Sequence, residues 1–160
     1  MLRIFLSLLL LCSPALAEPY SETGLPLPRF VSLKSNDANM RKGPGTRYPI
    51  YWVYKRKHLP IEIINEYGHW RQVRDHEGVT GWMHKGMFSS TRYVITQGEV
   101  QSLKSDSEDD SDNLLQIQAG VIASLQHCNA NWCEVTVQDH TGWLPKSGLW
   151  GVYPQEVIED

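Results

Sequence analysis

What this sequence lacks most is helical periodicity. No window of helical length keeps apolar residues on a 3.6-residue spacing, so an α-helical framework is excluded. Beyond residues 4–11 there is no long apolar run, and a spanning helix needs roughly 20 apolar residues. Catalytic signatures are missing as well: there is no G-x-S-x-G and no C-G-x-C-W. Gly43-Pro44-Gly45-Thr46 does not meet the G-x-x-x-x-G-K-[ST] pattern, and Pro44 removes an N–H that a phosphate cradle would use. Cysteine is scarce, with three residues in 160, and the net charge is only −3.

The N-terminus reads as a targeting segment. Met1-Leu2-Arg3 gives a short positive start, Ile4 to Leu11 is apolar, and the run ends in Ala15-Leu16-Ala17. That pattern predicts a secretory signal peptide over 1–17, cleaved after Ala17. A lipoprotein reading would make Cys12 the lipidated residue, but Leu11 stands where a small residue is expected. Cleavage would leave only Cys128 and Cys133, and an even pair in an exported chain reads as a disulfide. Zinc is the competing use of Cys128 and Cys133 with His127 and His140. It is the weaker reading, because His127 beside Cys128 should point to the opposite face of a strand.

What the chain does have is a phrase stated twice. WRQVRDHEGVTGW occupies 70–82 and WCEVTVQDHTGW occupies 132–143. Each holds Trp, then Val three residues on, a turn, and Gly-Trp. The offset of about 62 residues exceeds the 20–50 of solenoid repeats, so the phrase marks two small domains. Strands are predicted over 30–34, 38–41, 50–54, 60–66, 70–74 and 79–84, and again over 93–103, 114–118, 120–127, 132–137, 141–145 and 149–153. Many short strands at close spacing imply an all-β chain of two tandem small barrels or sandwiches. Residues 18–29, with three Pro and one Gly, read as a flexible segment, and 154–160 as a C-terminal tail. The domains are then 30–93 and 94–153.

Alternation nominates Ile61, Ile63, Trp70 and Val73 for the first core, and Ala123, Leu125, Trp132 and Val135 for the second. The same offset carries Glu66 to Cys128 and Arg71 to Cys133, so a charge pair and a cysteine pair flank equivalent turns. Both suit directly facing cross-strand neighbours. Charge is divided unevenly. Residues 30–93 carry 11 Lys/Arg against 5 Asp/Glu, and residues 94–160 carry 2 against 11. Either the halves attract and dock, or the first presents a basic face, such as Lys55-Arg56-Lys57, to an anionic partner. The acidic run 106–112 lacks the Gly and terminal Glu of an EF-hand loop and reads as solvated.

Residues 38–48, ANMRKGPGTRY, together with Gly68-His69-Trp70 and Gly81-Trp82, resemble the bacterial SH3-like (SH3b) domain family. The resemblance covers roughly 36–90 well. It covers 98–153 less well, through Asn131 to Val135, Gly142-Trp143 and Leu149-Trp150-Gly151. In the second copy the acidic run stands where the GPGT loop should be. The resemblance implies SH3-like β-barrels and a non-enzymatic binding module, with no cofactor or metal. Its ligand would be peptidoglycan or stem peptides in the periplasm or cell envelope. A protein-partner adaptor is the alternative, and a small hydrolase the third choice. No nucleic-acid partner and no membrane insertion are expected.

The framework residues are then Trp70, Gly81, Trp82, Trp132, Gly142 and Trp143, while the ligand contacts fall where the copies differ. Arg41, Arg47, Tyr48, Trp52 and Tyr54 form a basic and aromatic cluster, with Trp82 as a further candidate.

Overall fold

A computed structural model describes residues 21–159. The expected signal peptide, 1–17, lies outside them. Strands make up the architecture, and among the described residues there is no α-helix, only the short 3-10 turns Lys85–Met87 and Lys146–Gly148. No helix of the described residues is long and apolar enough to cross a membrane.

The first repeat contributes β1 (Arg29–Leu33), β2 (Ala38–Arg41), β3 (Ile50–Tyr54), β4 (Pro60–Tyr67), β5 (Trp70–Arg74), β6 (Thr80–His84) and β7 (Phe88–Ser89). The second contributes β8 (Tyr93–Thr96), β9 (Gln101–Lys104), β10 (Asn113–Ile117), β11 (Ile122–Cys128), β12 (Trp132–Val137), β13 (His140–Pro145) and β14 (Leu149–Trp150). Each set forms one antiparallel sheet. The orders are β3-β2-β6-β5-β4-β1-β7 and β10-β9-β13-β12-β11-β8-β14, which are one topology used twice. The run expected as one strand over 93–103 is two strands, because Gly98 turns the chain at φ 75°. β7 carries no alternation long enough to be read from sequence.

The expected closed barrels are a point of correction, since both ladders are open. β7 is two residues long and pairs only with β1, through Ser32–Ser89 and Leu33–Phe88. The chain then leaves for the second repeat, and nothing joins β7 to β3 at the far edge. Each sheet instead curls over its own core. Leu33, Met40, Ile61, Val73 and Met83 are fully buried in the first, and Val94, Leu103, Val135 and Leu144 in the second.

Trp70 and Trp132, nominated for those cores, are only half-buried. Trp70 lies three residues from the buried Val73, and an odd spacing on a strand puts two side chains on opposite faces.

The turns of β4–β5 and β11–β12 are fastened differently. Glu66 faces Arg71 and Cys128 faces Cys133 in the same register position. Cys128 and Cys133 form a disulfide. Glu66 has a fully buried side chain. Arg29 donates to it at 2.7 Å and Arg71 lies at 3.4 Å. The Thr23 N–H and hydroxyl donate to it at 2.9 Å. The Glu22 carboxylate caps Gly68 N at 2.7 Å. Residues 21–25 are therefore pinned onto the hairpin, which corrects the expectation of flexibility over the described part of 18–29. The tail is docked too, with Glu156 on Arg92 at 2.7 Å and Ile158 bridged to Cys128.

A second exchange lies deeper. Tyr54 donates to the buried Asp75 at 2.8 Å, and Asp75 also accepts from the N–H groups of Glu77 and Val79. Burial first, and the Asp75 carboxylate second, push the Tyr54 hydroxyl far up. In the second repeat the equivalent positions hold Ile117 and Val137, both in the core.

The two sheets share one junction. Val94 and Ile95 are neighbours on β8, yet Val94 belongs to the second core and Ile95 to the first. Ile122 and Trp150 follow Ile95 across. Phe30 meets Trp150 edge-on at 5.2 Å and Tyr153 at 4.6 Å. Tyr153 donates to Glu62 at 3.0 Å, Gln97 to His76 O at 3.0 Å, and Arg56 to Gly120 O at 2.8 Å. Gly151, at φ 116°, lets the backbones close: a Cβ there would stand 2.5 Å from Tyr93 O. Of the ion pairs among the described residues, only Arg92–Glu156 joins residues on either side of the division between 93 and 94. Apolar contact, rather than attraction between a basic and an acidic half, therefore docks the repeats. Lys55-Arg56-Lys57 and most of the acidic run 106–112 stay exposed.

Glu66 ties the fold to pH. Burial alone would raise its pKa, but hydrogen bonds from Arg29 and Thr23 and the Arg29 charge hold it at about 2. In the unfolded chain a Glu titrates at about 4.3. A depressed folded value means the stabilisation is full above about 4.3 and is lost as pH falls toward about 2. Glu66→Gln should cost about 3 kcal/mol at pH 7, because Arg29 and Arg71 lose their buried partner. Urea denaturation from pH 7 to 2.5 should show the variant's deficit shrinking in that acid window.

Candidate functional site

Cross-strand partners share a face, so register decides which side chains can act together. Arg41 pairs with Trp82, Trp82 with Gln72, and His84 with Trp70. Asn39, two residues before Arg41, falls on the same side. These residues form the outer face of the first sheet. Met40, Val73 and Met83 take the alternate positions and fill the core. Trp70 and Trp82 are half-buried, each leaving part of an indole at the surface. A pocket of about 250 Å³ opens on this face, lined by Asn39, Arg41, Thr46, Trp70, His84 and Met87. Trp70 meets the His84 ring edge-on at 5.6 Å, and His69 lies 6.1 Å from His84. His84 Nδ1 accepts from Gly86 N at 3.1 Å, which directs Nε2 away from the backbone. The result is a shallow aromatic cleft with amide, imidazole and guanidinium donors at its rim.

The sequence-predicted contacts do not all reach this cleft. Arg41 lines it and Trp82 lies beside Arg41 on the same face without lining the cleft, while Arg41 also works as a brace. Its guanidinium donates to Thr46 O at 3.1 Å and Tyr48 O at 2.7 Å, closing the GPGT loop from within. Lys104 does the same for the acidic loop, donating to Asp109 O at 2.6 Å and Ser111 O at 3.0 Å. Tyr48 lies back over Gly43, where a Cβ would stand 2.6 Å from its ring. Arg47 stacks on Tyr48, 5.1 Å from the centroid, and both sit at the loop tip.

Trp52 and Tyr54 lie on the other face, because Trp52 pairs with Met40. Tyr54 is buried and committed to Asp75, so it is a core residue. Trp52 is 44% exposed on the edge strand β3, beside the exposed Ile50, Tyr51 and Val53. Met40 and Arg41 alternate across the sheet, and this separates Trp52 from the cleft. Tyr51 reaches Thr80 O across the sheet. Gly81 accommodates that reach: a Cβ there would stand 2.6 Å from both Met40 Cγ and Tyr51 Oη.

Sequence reasoning missed Asn39, Thr46, His84 and Met87, and kept Trp70 as framework. The available signal was parity: Trp70, Gln72, Trp82 and His84 alternate with Arg71, Val73, Gly81 and Met83, all of which are buried. The cleft is not repeated in the second sheet. There Trp132 faces Pro145 instead of a histidine, and Trp143 faces Glu134, which lies 3.6 Å from His127. Among the described residues, no three His, Cys, Asp or Glu side chains are grouped to hold a metal ion. Arg41→Ala should loosen the 42–49 loop and cost about 2 kcal/mol. Amide exchange at Gly45 and Tyr48 should quicken. Arg41→Lys should restore most of the protection, as Lys104 implies.

Comparison with known proteins follows the repeat. Residues 34–89 and 103–151 both match the family model for the bacterial SH3 domain. No curated protein matches the chain. Among solved structures it is similar to NlpC2 from Trichomonas vaginalis, at 11% identity and a TM-score of 0.36, over 77% of this chain and 48% of that one. It is also similar to NlpC1 from the same organism, at 10% identity and a TM-score of 0.35, over 84% and 49%. The chain spans about half the length of either, and at those TM-scores the likeness carries no argument about this site. The family match takes in both repeats and most of the described residues, and the chain therefore belongs to the bacterial SH3 domain family, as two tandem copies.

Proposed function

We propose that the protein is an exported, non-catalytic binding protein of the bacterial cell envelope, recognising peptidoglycan or its stem peptides through the outer face of the first sheet. The observation that carries this reading is the cleft between Trp70 and His84, with Arg41 and Asn39 at its rim. Half-exposed indoles offer flat apolar area to a sugar ring or a peptide plane, and the rim donors suit carbonyls and carboxylates. Export rests on the N-terminal pattern of residues 1–17. The non-catalytic reading rests on the family and on the cysteines, which are joined to each other and so are not available as nucleophiles. A second reading, a protein-partner adaptor, has its own support in β3, an edge strand with four consecutive exposed apolar residues.

Co-sedimentation of the mature chain with purified sacculi tests the first reading. Trp70→Ala should weaken binding about tenfold, the scale of one lost stacking contact. Trp52→Ala, on the opposite face, should leave it unchanged. Circular dichroism would check that both variants fold. Absence of binding by the unmodified protein overturns the ligand class, and equal loss in the two variants overturns the site. Crosslinking in envelope extracts that traps a protein through β3 would favour the adaptor instead.

A further inference from the structure

Where each ladder stays open, the sheet leaves a concavity; the two share four equivalent positions, and the first is also walled by Thr23 and Leu25 of the N-terminal segment. The first, about 510 Å³, includes Lys85, Phe88, Ser90 and Arg92. The second, about 460 Å³, includes Lys146, Leu149, Val152 and Pro154. The partners are 61 or 62 positions apart. Lys85 and Lys146 open equivalent 3-10 turns, and their backbone N–H groups donate to His69 O and Asn131 O, both at 2.8 Å.

The second concavity shows what such a lysine is for. Lys146 is buried, and its ammonium donates to Asn129 O at 2.6 Å. It also donates to two carbonyls of the C-terminal tail, Glu156 O at 2.7 Å and Pro154 O at 3.3 Å. The tail is held further by the Glu156 carboxylate on Arg92 and by the paired 3.0 Å bonds between Ile158 and Cys128. A turn at Pro154 and Gln155 that carries the Glu156 carboxylate, followed by Val157 and Ile158, thus satisfies this end of the second sheet.

In the first repeat the chain does not turn back after Arg92 but continues into β8. Lys85 is exposed, and no carboxylate pairs with it among the described residues. Arg29, Arg71, Lys85 and Arg92 all line this concavity. Only two carboxylates answer them: Glu66, shared by Arg29 and Arg71, and Glu156, taken by Arg92. Two positive charges are therefore left over beside an apolar wall that includes Phe30, Ile63 and Phe88.

We propose that this first concavity binds an acidic peptide segment, a carboxylate followed by apolar residues, in the manner of the protein's own tail. Lys85 donates to the peptide's carbonyls as Lys146 does, the surplus positive charge accepts the carboxylate, and the Phe88 wall takes an apolar neighbour. The site lies at the open end of the sheet, apart from the Trp70–Trp82 face, and does not depend on that face binding the cell wall.

The test uses the full mature protein and a fluorophore-labelled, C-terminally amidated peptide of residues 153–158, whose one carboxylate is Glu156, read by fluorescence anisotropy at low salt. Saturable binding is expected, weakening as salt rises. Lys85→Glu, at an exposed position that the fold does not use, should weaken it at least about tenfold, and the peptide carrying Glu156→Gln should lose about as much. Absence of binding overturns the proposal. So does equal binding to Lys85→Glu, which would mean the peptide only exchanges with the covalent tail at Lys146. Equal binding of the Gln peptide would remove the charge argument.

Discussion

The arrangement depends on a strand with two buried faces. In most small sheets one face meets the core and the other meets water. β8 has no water side: Val94 enters the second core and Ile95 the first, both fully buried. A small domain of this size is marginal alone because it buries little of its surface. Lending Ile95, Ile122 and Trp150 to the first core gives that repeat apolar area it does not carry itself. The docking is a packing event, so the uneven charge of the two halves remains at the surface for other uses.

On this shared frame the repeats differ in how they are fastened and in what they present. The first uses polar fastenings, Glu66 with Arg29 and Arg71, and Tyr54 with Asp75. The second replaces them with a disulfide and with Ile117 and Val137. Buried polar sets must be fully satisfied to be tolerated, and the first repeat recruits residues 21–25 to complete the shell of Glu66. Surface chemistry follows the same division. The first sheet shows an aromatic cleft on its outer face and a cationic concavity at its open end. The second has Pro145 in place of His84, and its own tail across the equivalent lysine.

Much of this was legible in the sequence because it is local or repeated. The 62-residue offset alone placed Glu66 opposite Arg71 and Cys128 opposite Cys133, since facing positions on a hairpin follow from strand period and turn length. Three features were not legible. The irregularity between Met40 and Arg41 sets Ile50 instead of Tyr51 opposite Arg41, which no alternation rule anticipates. Tyr54 looks like a surface aromatic until its partner, 21 residues away, is known. Segment 21–25 lies in a stretch that reads as flexible by composition, and 154–160 reads only as a tail, yet Glu66, Arg92 and Lys146 hold them through contacts distant in sequence. The outward face of Trp70, by contrast, was legible: alternation nominates it for the core with Val73, but their odd spacing puts them on opposite faces.

The most direct test of the shared strand is native-state hydrogen exchange on Ile95→Ala, a truncation of the kind that costs about 2–5 kcal/mol. If β8 joins the repeats into one cooperative unit, the slowest amides of β4–β5 and of β11–β12 lose protection together, by comparable free energies. A loss confined to β11–β12, with β4–β5 unmoved, would contradict it.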